Sequence, residues 1–112
     1  MSVELSSDVV RGFSDIMILY QLLDEPSYGY EISKRIKSLS DEQFVMKETT
    51  LYSAFKRLEQ NGYVESFSGN ETSGKKRTYY RMTELGHAYY DKKCLEWDLT
   101  KLIIEKFIRR RK

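Results

Sequence analysis

Apolar residues return at three- and four-residue steps through most of the chain, and the pattern turns strand-like only once. Between Asp8 and Leu23, the residues Val9, Phe13, Ile16, Met17, Tyr20 and Leu23 mark a first amphipathic helix, with Ser6 or Ser7 as its N-cap. Asp24-Glu25-Pro26 ends it, because proline biases its preceding neighbour out of the helical region. Ser27 can cap a second helix, in which Tyr28, Ile32, Ile36 and Leu39 line one face. The polar stretch 40–47 carries Phe44 and Met46 on either side of Val45, a pattern compatible with a short extended piece. A third helix runs from about Glu48 to Gln60, since Leu51, Ala54, Phe55 and Leu58 fall at i, i+3, i+4 and i+7. Lys47 supplies no capping oxygen there, so Thr49 or Thr50 is expected to cap instead. Asn61-Gly62 stops the helix, glycine taking the left-handed conformation at little cost.

Tyr63–Phe67 and Thr78–Met82 are rich in β-branched and aromatic residues and flank the turn-forming run from Ser68 to Gly74. They predict a two-stranded hairpin, too small to stand alone, that leans on the helices. Thr83 then caps a final helix from Glu84 to about Arg109, roughly 40 Å long at the usual helical rise. Leu95, Leu99 and Leu102 form a seam along it, widened by Ile103, Ile104, Phe107 and Ile108. Three short helices cannot cover so much apolar surface, and a second copy of the chain is the simplest cover. The expected fold is mainly α: a winged helix-turn-helix with a two-stranded β-wing (residues 1–82) and a long C-terminal dimerisation helix (residues 83–112), forming one compact unit.

Composition narrows the function. The chain has 112 residues, 40% hydrophobic and 32% charged, which suits one modest core with much solvated surface. Its net charge of +2 is too small to argue for nucleic acid, so the placement of charge has to decide. No run of about 18 apolar residues and no basic-then-apolar leader is present, which predicts a cytoplasmic protein without a membrane partner. Cys94 is the only cysteine and His87 the only histidine, so neither an intrachain disulfide nor a Cys/His zinc site can form, and no cofactor is expected. With no phosphate-binding loop and no nucleophile elbow, an enzyme is the weakest class.

Two neighbouring segments carry the chemistry. The buried stripe of the third helix fixes it to the body and leaves Thr49, Thr50, Ser53 and Lys56 facing outward, with Arg57 beside them. Short hydroxyls let a helix approach a major-groove floor and meet base edges and thymine methyls. Tyr52 can reach a phosphate with its hydroxyl. In the hairpin, Lys75, Lys76, Arg77 and Arg81 form a cationic run with no acid between Glu71 and Glu84. Cations there neutralise phosphates and release counterions, giving affinity that falls with salt. Solvated helix and hairpin faces are the plain alternative, and with them a protein-interaction module that does not bind DNA.

Several runs also match a known pattern. Tyr28-Gly29-Tyr30-Glu31-Ile32, Thr50-Leu51-Tyr52, Lys56-Arg57-Leu58-Glu59, Gly62 and the run from Lys76 to Gly86 appear in order across nearly the whole chain. In these the sequence resembles PadR-family transcriptional regulators. It departs at Thr49 and Ser53, where the family often has glycine and proline. The single terminal helix is similar to that of the short subfamily, whose members dimerise through it. The resemblance implies a repressor that binds double-stranded DNA at an inverted-repeat operator as a homodimer.

Trp97, the only tryptophan, sits midway along the terminal helix. Across a twofold axis one indole becomes two, and facing indoles can sandwich a flat aromatic effector. That position is similar to the multidrug-binding members of the family. A plain filler of the dimer core is the other reading. Lys101, one turn further on, disfavours a cationic ligand at the ring.

Overall fold

The computed structural model describes residues 3–70 and 76–111. Helices α1 (Ser7–Tyr20), α2 (Gly29–Leu39) and α3 (Glu48–Gln60) precede a sheet and a closing helix α4 (Glu84–Glu105). The sheet has three antiparallel strands in the order β1 (Ser27–Tyr28), β3 (Lys76–Met82), β2 (Val64–Asn70). This is a winged helix-turn-helix with a long C-terminal helix.

The side chain of Ser6 accepts the Val9 N–H and so starts α1. The helix stops at Tyr20 rather than Leu23, because Gln21 and Leu22 bond back three residues, to Ile18 and Leu19. That tightened turn drives Leu22 into the core. The core-facing residues of α1 are Ile18 and Leu19, with Ser14 and Asp15 on the same side. The stripe picked out by periodicity is a second one: Phe13 and Met17 are half-buried, and Val9 and Tyr20 are exposed. The most deeply buried arc mixes Ser14 and Asp15 with Ile18 and Leu19, so a search for apolar spacing passes it over.

Ser27 is not a cap. It is buried in β1, opposite Tyr80, and its hydroxyl donates to Glu31 instead of accepting a free N–H. Tyr28 takes the N-cap position of α2 without a side-chain bond. Leu39 is exposed, so the buried face of α2 reduces to Gly29, Ile32 and Ile36. In the next loop Asp41 and Glu42 both take positive φ, and Ser40 bonds the backbone of Phe44 in both directions. Met46 is buried and Val45 exposed, so the inside-outside alternation is there. With no strand beside it, that stretch forms no strand of its own.

Helix α3 has the expected bounds, and Leu51, Ala54, Phe55 and Leu58 are its buried residues. No threonine caps it. Lys47 is the N-cap and makes no side-chain bond, while Glu48 in the first turn complements the helix dipole. The far end is a Schellman motif: Gly62, at φ 78°, donates to Glu59, and Tyr63 donates to Leu58. Phe55 stacks on Tyr80 of β3 with centroids 4.0 Å apart, locking α3 to the sheet. Ser68, Gly69 and Asn70, expected in the loop, continue β2 opposite Thr78, Arg77 and Lys76.

Thr83 joins the wing to α4. Its hydroxyl accepts the Gly86 N–H at 3.0 Å and donates to the Gly62 carbonyl at 2.7 Å. Helix α4 then packs on α1 and β3 and ends at Glu105, four residues short of expectation. Phe107 and Ile108 follow as turns bonded to Ile104 and Glu105.

Candidate nucleic-acid interface

The core stripe of α3 turns its opposite side outward. Thr49, Tyr52, Ser53, Lys56 and Arg57 are exposed there, and Thr50 is half-buried. This face borders a concave groove of about 730 Å³, closed on its other flank by the start of α1 and the loop around Val45. Thr49, Thr50 and Ser53 line it together with Lys47 and Arg11. Arg11, Lys47 and Arg57 outnumber the one acid of the lining, Glu4, so its polar part suits an anionic ligand, beside apolar Leu5, Val10, Phe44 and Val45.

Tyr52 lies with its hydroxyl against the start of α2. A Cβ on Gly29 would come within 2.6 Å of that oxygen, so glycine is what lets the two helices meet there. The ring stays half exposed and meets Phe55 edge-on. Arg57 departs from expectation in part. Its guanidinium is paired with Asp15 of α1, although it still borders the groove. Spacing correctly put Arg57 outside the apolar stripe but could not reveal a carboxylate 42 residues earlier in the chain.

Asp15 is the main residue that sequence reasoning missed. One carboxylate oxygen accepts from Arg57 and the other from the Tyr89 hydroxyl at 2.8 Å. A single buried acid therefore ties the reader helix α3 and the terminal helix α4 to α1. Tyr89 also stacks on Tyr63, with centroids 4.0 Å apart. Burial first, and then the bond to Asp15, push the Tyr89 phenol well above its ordinary pKa, so it remains a donor far into alkaline pH. An acid beside Ile18 and Leu19 on α1 was the available sequence signal.

In the wing, alternation along β3 puts Lys76 and Thr78 on the same side as Tyr80, while Arg77, Tyr79 and Arg81 share the outer face. Arg77 lies 4.0 Å over the Tyr28 ring and Arg81 4.7 Å over Phe67. Lys75 falls outside the described residues.

On α4, Trp97 is 40% exposed and meets Phe13 of α1 edge-on, with centroids 5.1 Å apart. The Lys101 ammonium lies 5.8 Å from the indole centroid. At about 100° per residue, Trp97 lies roughly 200° around the helix from Leu95, away from the leucine seam. Cys94 is half-buried, and Tyr90, one turn earlier, is pushed up to about 12, by burial and then by its bond to that thiol. Among the described residues, no helix is long and apolar enough to cross a membrane.

Residues 18–92 match the PadR-like family of transcriptional regulators. An uncharacterised protein of Lysinibacillus sphaericus is 43% identical over 102 residues, covering 91% of this chain and 94% of its own length. The structure of a transcriptional regulator from Clostridium thermocellum is 57% identical with a TM-score of 0.85, covering 92% of this chain and 100% of that one. A PadR family transcription regulator from Clostridium difficile is 35% identical with a TM-score of 0.71, over 85% of this chain and 97% of that one. The fold and the outward-facing α3 define a winged helix-turn-helix transcription regulator. The chain belongs to the PadR-like family, whose members regulate transcription by binding DNA and are not enzymes. That membership decides against an interaction module that leaves DNA alone.

Proposed function

We propose that the chain is a cytoplasmic homodimeric repressor that reads an inverted-repeat operator and releases it when a planar aromatic compound binds at the indole of the terminal helix. One observation carries the reading beyond the family: the distal half of α4 leaves Leu95, Leu99 and Leu102 57–69% exposed, beside the open side chains of Ile103 and Phe107. A contiguous apolar seam of this kind is what a second copy covers. Around the resulting twofold axis, two α3 helices enter successive major grooves, with half-sites about one helical turn apart. Thr49, Thr50, Ser53 and Lys56 then face base edges, and Tyr52, Lys76, Arg77 and Arg81 face phosphates; Lys75, outside the described residues, is counted with them from sequence alone. Arg57 serves mainly to hold α3 against Asp15.

The wing is tested directly. Lys76→Ala combined with Arg77→Ala is expected to weaken binding to every duplex sequence on the order of tenfold at physiological salt. The slope of log affinity against log salt should flatten by about two. An unchanged slope removes the wing from the interface.

The ligand half of the proposal rests on Trp97, the exposed indole of α4. It lies on the side of α4 that meets α1 through Phe13. A ligand there lowers DNA affinity only as far as it binds the free and the DNA-bound arrangements unequally. Trp97→Ala is expected to lower affinity for a flat neutral aromatic dye on the order of tenfold, while DNA binding stays measurable. Dye affinity that survives the substitution removes the indole from the ligand site.

A further inference from the structure

The outer face of the sheet carries an arrangement with no part in the core. Tyr28 of β1 and Phe67 of β2 both pair with Tyr79 of β3, so three aromatic residues form one row straight across the sheet. Their rings are in contact: Tyr28 and Tyr79 at 5.3 Å, Phe67 and Tyr79 at 5.7 Å. Arg77 and Arg81 stand two residues either side of Tyr79 on the same strand face. Each reaches diagonally, one to Tyr28 and the other to Phe67. Gly69 completes the surface, because a Cβ there would come within 2.4 Å of the Tyr79 ring.

From this geometry we infer that the aromatic row is a rail that positions Arg77 and Arg81 for phosphate, with Tyr28 and Phe67 as positioning residues of the DNA interface. The inference rests on the reading that the wing touches DNA. A guanidinium lying over a ring gives the ring its face and is held in one plane, so its charge is delivered in one orientation. A free arginine side chain must lose rotamer freedom on binding, and one already stacked has less to lose. Tyr28 makes the point most sharply. It belongs to β1 at the head of α2, far in sequence from the wing, yet its ring supports a wing arginine.

The experiment measures affinity for a long mixed-sequence duplex, since phosphate contacts do not depend on sequence. Tyr28→Leu is expected to weaken binding about two- to fivefold, and Tyr28→Phe to restore it. Arg77→Lys, which keeps the charge but not the flat stack, should cost a similar factor without touching β1. Arg77→Ala should lose more, and adding Tyr28→Leu to it should change nothing further. Thermal melts of each variant show whether a loss comes from unfolding. If Arg77→Lys binds as tightly as the parent, or if Tyr28→Leu adds its full effect on top of Arg77→Ala, the rail is overturned. If Arg77→Ala itself leaves binding unchanged, the wing reading fails and takes the rail with it.

Discussion

Replacing Leu99 and Leu102 together by aspartate is expected to turn the protein into a folded monomer and to lower operator affinity about 100-fold or more. Both side chains are exposed in the single chain, at 57% and 63%, and neither belongs to its core cluster. The substitution should therefore leave the winged helix intact while placing two like charges, duplicated by symmetry, in the middle of the proposed seam. The loss in affinity follows from valency. A dimer engages its second half-site as an intramolecular event, and linked sites of this kind gain roughly 10²–10⁴ over one site alone. Sedimentation velocity reads the oligomeric state, and titration of a duplex carrying an inverted repeat reads the affinity. A variant that remains dimeric would show that the leucine seam is not the interface. A clean monomer with undiminished operator affinity would show that dimerisation does not matter for recognition.

The two halves of the proposal engage different sides of α4. The leucine seam lies roughly opposite Trp97, which faces α1 through Phe13. Half a turn along α1 from Phe13 is Asp15, bonded to Arg57 on α3 and to Tyr89 on α4. The indole and the reader helix are thus both in contact with α1, through residues two positions apart. Displacing α1 at Phe13 would displace the carboxylate that holds α3. Charge-assisted bonds to a buried acid pass on such a shift more stiffly than apolar contacts, which can slide.

What the sequence disclosed depended on whether the relevant partner was local. Helix α3 was legible to its bounds, because its stripe and its Asn61-Gly62 stop are local signals. The strands of the wing were legible in type but short in extent, since Ser68, Gly69 and Asn70 become strand only by pairing with β3. Strand β1 was not legible: two residues carry no periodicity, and Ser27 beside Pro26 reads as a helix cap until Tyr80 is placed opposite it. The four wing cations looked equivalent in sequence. Alternation along β3 separates Lys76 from Arg77 and Arg81, and only cross-strand register shows that the two arginines rest on rings. The same limit hid Asp15, whose partners are 42 and 74 residues away.

The largest stability effect is expected at Gly86, where two physical rules give opposite signs. Gly86 is helical in α4, and helix propensity alone predicts that Gly86→Ala gains about 1 kcal/mol. The available space predicts a loss. A Cβ at this position would stand 2.0 Å from the Tyr63 carbonyl oxygen and 2.8 Å from Met82 Cγ. The methionine can swing aside, but the carbonyl cannot easily move. It accepts the Thr83 N–H at 3.1 Å, and Thr83 in turn caps α4 and donates to Gly62. The first turn of α4 would have to lift off the wing, and overpacking of this kind typically costs about 1–3 kcal/mol. Gly86→Ala is therefore expected to be net destabilising by up to roughly 2 kcal/mol, read as a lower urea midpoint at unchanged slope. Gly12→Ala provides the contrast: it too lies within a helix, a Cβ there meets nothing within 4 Å, and the midpoint should rise. If Gly86→Ala proves as stable as the parent, the close approach between α4 and the wing is wrong, and with it the fixed angle at which the terminal helix leaves the DNA-binding body.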